Sequence, residues 1–265
     1  MKFSLSGKTA IVTGAAAGCG LAIGRHFIEA GANVMFTDMD EHRLEAAVSE
    51  LHPDRARMFA GDVRETLTIK NLLSATVDAF DGIDILINAS RQVLRSDLLD
   101  PEADQVETML GQNLLPALRL SQMTARRMIS LAERRERTCV GAIVNLSSIA
   151  ATRAQPEIAG YSIACAAQDQ MTRALALTLA PKGIRVNAVA FGSVLSDSLR
   201  GALADRPDLR EPIVAATPLG RIADAAELVE AVQFLASDAA SFMTGQIVSI
   251  DGGRSLLDAV RVPAH

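Results

Sequence analysis

A chain of 265 residues with 49% hydrophobic and 22% charged side chains has room for one large domain with a substantial core, and it lacks the polar excess of a disordered chain. Its formal charge of -5 supplies no electrostatic footprint for nucleic acid, and no apolar run reaches the roughly 18 residues of a membrane span. The first residues lack the apolar core of a signal peptide, so a cytoplasmic protein is expected; Cys19, Cys139 and Cys165, far apart and odd in number, indicate neither a disulfide framework nor a metal site.

Short β-rich runs alternate with longer helical patterns along the chain. Strands are predicted at Thr9–Thr13, Asn33–Thr37, Arg57–Ala60, Asp84–Asn88, Ala142–Asn145, Arg185–Val189 and Ile247–Ile250. Helices are predicted at Leu21–Ala30, Arg43–Leu51, Thr66–Phe80, Ala103–Ala132, Tyr161–Leu179 and Ala225–Ala236. This alternation implies an α/β, doubly wound fold: one seven-stranded parallel sheet flanked by helices on both faces, without an internal boundary. Such sheets take ligands beyond the carboxyl ends of their strands, so the strand-to-helix turns are where function is sought. The locally basic stretch Arg126 to Arg137, interleaved with Glu133 and Glu136, reads as a solvated helix end and loop.

The first of those turns is Thr13-Gly-Ala-Ala-Ala-Gly-Cys-Gly20. Three glycines leaving a strand and opening a helix let the backbone approach a pyrophosphate, whose charge the free N–H groups and the helix dipole stabilise. A dinucleotide site with Gly14, Gly18, Cys19 and Gly20 is therefore expected. The second strand ends in Thr37-Asp38; a carboxylate there accepts both hydroxyls of an adenosine ribose and repels a 2′-phosphate, so NADH is expected to be preferred over NADPH.

With those residues placed, the chain resembles the short-chain dehydrogenase/reductase family over nearly its full length. The spacing Gly14-x3-Gly18-x-Gly20 matches that family's glycine motif, and Asp62-Val63 looks like the pair that holds the adenine. Asn113 resembles the family's catalytic-site asparagine, and Asn145-Leu-Ser-Ser148 the strand end carrying its catalytic serine. Thirteen residues after Ser148 comes Tyr161, the usual interval and the single tyrosine of the chain. The runs Leu179 to Val189 and Thr244 to Gly253 are similar to two further family segments. The resemblance implies a Rossmann-type NAD(P)-binding domain over residues 1–265, with a substrate lid at about residues 193–217 and a homodimer or homotetramer joined through the long helices after the fourth and fifth strands. It also implies cofactor contacts at Asn88, Tyr161, Gly192, Val194 and Ser196, and an alcohol or carbonyl substrate. The lid carries Leu195, Leu199, Leu203 and Ile213 beside Arg200, Arg206 and Arg210, a mixture that suits an apolar acyl or steroid-like substrate and a carboxylate alike.

Three departures stand against these matches. Asn-Asn-Ala-Gly after the fourth strand is here Asn88-Ala-Ser-Arg91, which alters the cleft floor. Pro-Gly after the sixth strand is Phe191-Gly192. Tyr-x-x-x-Lys is Tyr161-Ser-Ile-Ala-Cys165, so the ammonium that favours phenolate in the family is missing. A free phenol titrates near pH 10, which leaves Tyr161 a poor base but still a proton donor. The expectation is an NAD(H)-dependent oxidoreductase with Tyr161 as acid/base and Ser148 polarising the substrate oxygen, retuned toward carbonyl reduction. The alternative is a non-catalytic NAD(H)-binding sensor or partner subunit. Arg153 and Arg173 are the candidates to replace the lost charge, and Cys165 is expected to fill the volume of the lysine stem.

Overall fold

The computed structural model describes residues 2–133 and 139–258. Seven parallel strands form one sheet: β1 (Thr9–Thr13), β2 (Asn33–Asp38), β3 (Ala56–Ala60), β4 (Ile85–Asn88), β5 (Gly141–Ser148), β6 (Ile184–Phe191) and β7 (Ile247–Ile250). Their spatial order is β3-β2-β1-β4-β5-β6-β7. The chain winds outward one way from β1 and then, from β4, the other way. The reversal opens a crevice between the carboxyl ends of β1 and β4.

Helices cover both faces: α1 (Gly18–Glu29), α2 (Glu41–Val48), α3 (Thr66–Phe80), α4 (Val106–Met109), α5 (Leu115–Glu133), α6 (Ala159–Leu179), α7 (Asp197–Asp205), α8 (Arg210–Ala215) and α9 (Ala225–Ala236). Alternate strand residues feed two cores. Val12, Val34, Phe36, Ile87 and Val144 pack with Ile23 and Phe27 of α1 and Leu228 and Val232 of α9. Ile11, Met35, Leu86, Ile143 and Val186 point the other way, onto Ile69 and Leu72 of α3, Leu120 and Met128 of α5 and Leu175 and Leu179 of α6. Gly24 lets α1 press on β2, since a Cβ there would stand 2.2 Å from the Phe36 ring.

The strands β5 and β6 run several residues beyond their predicted ends, to Ser148 and Phe191, because their last residues stay paired one to one up to Ser148 with Phe191. The helix predicted at Ala103–Ala132 begins at Val106 and is interrupted by a π turn at Leu110–Leu114, which holds Asn113. Hydrophobic period does not announce such a turn, because one inserted residue leaves the apolar stripe nearly unchanged. The predicted lid divides into α7, a short turn at Pro207–Leu209 and α8, and its Arg206 pairs with Asp208 at 2.6 Å. Of the basic stretch Arg126 to Arg137, residues 134–138 lie outside the described residues; Arg126 is an exposed residue of α5.

Candidate active site

The turn after β1 is shaped by close approach. Gly14 has φ +63°, and a Cβ on it would lie 2.8 Å from the Ser90 backbone; a Cβ on Gly20 would lie 2.2 Å from the Gly14 carbonyl oxygen. Any side chain at either position displaces the loop. The turn opens a cleft of about 660 Å³ lined by Gly14, Gly18, Cys19, Gly20, Asp38, Asp62, Val63, Ala89, Ser90, Arg91, Gln92 and Ser196, among others. A long, phosphate-bearing molecule fits this cradle: bare backbone stands at one end and a carboxylate at the other.

Asp38 sits at the end of β2, where its carboxylate accepts the Ala16 and Asp40 N–H groups at 3.1 Å each. Those two bonds fix its orientation and leave lone pairs for a ligand. Asp62 is gripped by Arg64 at 2.6 Å, and that hydrogen bond holds its carboxyl below the usual carboxylate range. Arg43 also lines this end of the cleft.

The cleft floor is rebuilt around β4. The Asn88 amide donates to the Asn145 side chain at 2.8 Å and to Ser121 at 2.9 Å, inside the sheet, and it does not line the cleft. Asn145 in turn donates to Thr172 at 2.8 Å. Ala89 and Ser90 take the floor instead, their N–H groups held by the Thr13 hydroxyl at 2.9 and 3.0 Å. Val194 is likewise turned from the cleft, buried in a bridge to Ala223. Asn113, buried in its π turn, accepts from the Gln92 N–H at 2.7 Å and donates to the Gln92 carbonyl at 2.9 Å.

Ser148, at the end of β5, and Tyr161, in the first turn of α6, meet at a second pocket of about 490 Å³. Ile149, Ile158, Gly192, Ala216 and Leu257 give it apolar walls, and Arg153, Arg254 and Asp258 also line it. Burial pushes the Tyr161 phenol up to about 12, against the opposing pull of Arg91 and the Ser148 hydroxyl; Cys165 reinforces the rise. Burial also pushes the Cys165 thiol up to about 11, so it is neutral at physiological pH; it packs in one buried cluster with Met109, Ala164 and Tyr161 and shares a hydrogen bond with the Tyr161 hydroxyl.

The residue that sequence reasoning missed is Arg91. Its guanidinium donates to the Tyr161 Oη at 3.2 Å and lies 4.5 Å from the centre of the Phe191 ring. Arg153 and Arg173, the two arginines that could have supplied the charge had the fold brought one close, hydrogen-bond elsewhere: Arg153 donates to the Ser255 carbonyl and Arg173 to Gln170. A signal for Arg91 was present, since it belongs to one of the three departures from the family pattern. Only its placement connects that departure to the tyrosine.

Residues 14–255 match a family model described as enoyl-(acyl carrier protein) reductase. The chain is 34% identical over 253 residues to galactitol 2-dehydrogenase (L-tagatose-forming) of Cereibacter sphaeroides, covering 95% of this chain and 96% of that one. It is 32% identical over 254 residues to a 3-oxoacyl-[acyl-carrier-protein] reductase of Vibrio cholerae, covering 96% and 100%. Among solved structures, a 7α-hydroxysteroid dehydrogenase complexed with NADH and 7-oxo glycochenodeoxycholic acid superposes with a TM-score of 0.86 at 29% identity, covering 95% of this chain and 96% of that one. A glycine turn at the sheet's reversal point, a serine and a tyrosine meeting at the adjoining pocket, and full-length similarity to dehydrogenases and reductases lead to one assignment: the chain belongs to the short-chain dehydrogenase/reductase family of oxidoreductases.

Proposed function

We propose that the protein is an NADH-dependent carbonyl reductase, with Tyr161 as the proton donor and Ser148 as the hydrogen-bond donor to the same substrate oxygen. The observation that carries this reading is the meeting of Ser148 and Tyr161 in one pocket beside the cofactor cleft, where burial pushes the phenol up to about 12 and so holds its proton. A dinucleotide in that cleft supplies the hydride. Ser148 orients and polarises the carbonyl, and as its carbon–oxygen π bond breaks Tyr161 passes its proton to the oxygen. The phenolate left behind recovers a proton from solvent. The reverse reaction needs that phenolate at the start, and a phenol titrating near 12 supplies it for only about one molecule in 10⁵ at neutral pH. Reduction therefore starts from the protonation state that the phenol holds at neutral pH.

The cleft supports NADH through Asp38 and through the bare backbone of Gly14 and Gly20. The similar hydroxysteroid dehydrogenase was solved with NADH and an oxo steroid, which lends the same support. The pocket's apolar walls and its two arginines suit a ketone that carries a remote anionic group.

The test measures NADH binding by calorimetry, separately from turnover over a panel of ketones and alcohols. NADH binding, ketone turnover exceeding alcohol turnover at neutral pH, and loss of at least about 100-fold in reduction for Tyr161→Phe with unchanged NADH affinity are expected. NADH binding without turnover of any member favours the non-catalytic sensor; absence of binding overturns both.

A further inference from the structure

The three departures from the family pattern lie on three different elements: Arg91 after β4, Phe191 at the end of β6, and Cys165 on α6. In space they meet. The Arg91 guanidinium bridges from the Phe191 ring, at 4.5 Å, to the Tyr161 hydroxyl, at 3.2 Å, and Tyr161 packs on Cys165. We infer that Arg91 is the cation of this active site, entering from the end of β4 to act on Tyr161 where Cys165, on the tyrosine's own helix, brings no charge. The inference rests on the oxidoreductase reading of the same pocket.

The backbone on both sides of Arg91 is pinned. Ser90 is held by the Thr13 hydroxyl, and Gln92 is clamped at its N–H and its carbonyl by the Asn113 side chain. Asn113 is thereby a positioning residue for Arg91. Phe191 supplies the last constraint, an aromatic face that a planar guanidinium covers well and an ammonium covers less well.

The other groups facing the phenol do not supply this charge. Ser148 and Cys165 are neutral, and Asp169, one turn beyond Cys165, acts on the thiol and has the wrong sign. Arg153, Arg254 and Asp258 line the pocket, but Arg153 donates to the Ser255 carbonyl and Arg254 to the Ser193 hydroxyl, whereas Arg91 donates to the phenol itself and is the strongest influence opposing its burial. Arg91 also lines the cofactor cleft, so a ligand filling that cleft shields the guanidinium from water and strengthens its hold on the phenol.

The composition provides a direct readout. Tyr161 is the single tyrosine and the chain has no tryptophan, so tyrosinate ultraviolet absorbance, or the Cζ shift of ring-labelled tyrosine, reports this residue alone and needs neither cofactor nor turnover. Arg91→Met is expected to lower the tyrosinate fraction at a fixed alkaline pH, below the onset of unfolding, by about tenfold, with Arg91→Lys closer to the native protein. In turnover, Arg91→Met is expected to slow alcohol oxidation by roughly tenfold or more and to displace its pH profile toward alkali. Adding Cys165→Lys to Arg91→Met is expected to restore both readouts, because it returns a cation to the same phenol from the helix side. Should Arg91→Met not fold, Arg91→Gln carries the same comparison. An unchanged titration in the neutral variant overturns the inference, and so does tighter NADH binding by it, which would make Arg91 a plug in the cleft. If the native protein turns over nothing on the panel, the oxidoreductase reading fails, while the titration still decides whether Arg91 governs Tyr161.

Discussion

The proposed preference for NADH rests on one side chain, the carboxylate of Asp38. Two backbone N–H groups aim it into the cleft, and its remaining lone pairs match a ribose diol and oppose a phosphate. Charged hydrogen bonds of this kind are worth on the order of 1.5–3 kcal/mol, so NADH is expected to bind at least about tenfold more tightly than NADPH. Asp38→Ala should reduce that ratio toward unity, helped by Arg43 in the same wall, and calorimetry with both nucleotides reads the change. Equal affinities in the native protein would contradict the role assigned to Asp38. Asp169 presents the opposite case, a buried carboxylate on α6 with an oxygen that has no hydrogen-bond partner among the described residues. Burial raises its titration, against the pull of Ser147 and Arg173. The folded state therefore favours the protonated form. Stability is fully present below the unfolded carboxylate value, near pH 4, and is lost as pH rises through the folded one. Asp169→Asn keeps the shape without the charge. Its Tm is expected to exceed the native value at neutral pH, with the gap closing as the pH falls into the acid range.

At the level of elements, the helix starts explain both what was legible and what was missed. Helix α9 was located to the residue because its start is written locally: Asp224 and Glu227 form a reciprocal capping box, and Glu227 is locked to Arg221 at 2.6 Å. That ion pair and the Asp224 N–H hold the Glu227 carboxyl down to about 2. Asp224→Ala is expected to cost about 1 kcal/mol, or roughly 2–4 °C in Tm for a chain of this size, and thermal unfolding measures it. Helix α1 has no side-chain cap. Its first turn lines the cleft behind the glycine turn, where the phosphates of the proposed dinucleotide would meet the positive end of the helix dipole. The π turn before α5 has no such local code, since it serves a contact 21 residues away, from Asn113 to Gln92.

On the scale of the whole molecule, α6 carries the clearest sign of assembly. The side of this helix turned from the core bears Ile163, Ala166, Ala167, Gln170, Arg173, Ala174 and Leu177, with Leu177 80% exposed. A mostly small and apolar seam from Ile163 to Leu177, on a helix 21 residues long, is poorly suited to water and well suited to a second helix of the same kind. Sedimentation at micromolar concentration is expected to give a dimer or tetramer, and Ile163→Glu with Leu177→Glu to move it toward monomer. A native protein that sediments only as monomer overturns this expectation. No helix among the described residues is long and apolar enough to cross a membrane.

The order of strands and helices, the doubly wound sheet and the glycine turn were legible in the sequence because each rests on near-neighbour physics. Strands buried on both faces read as continuous apolar runs, helices repeat their apolar stripe, and glycine stands where backbone must approach backbone. Ser148 and Tyr161 were picked out by resemblance, through the family's usual interval of 13 residues, and the structure sets one at a strand end and the other in the first turn of the next long helix, beside one pocket. Tertiary structure alone decided what surrounds them. It turned the Asn88 amide into the sheet, used Asn113 to clamp Gln92, and brought Arg91 to a phenol 70 positions later in the chain. The resemblance draws attention to Cys165 on the tyrosine's own helix, but the charge facing Tyr161 comes from a different strand end. The through-space field at a buried group depends on which elements the fold brings together, and that arrangement has no local pattern to betray it.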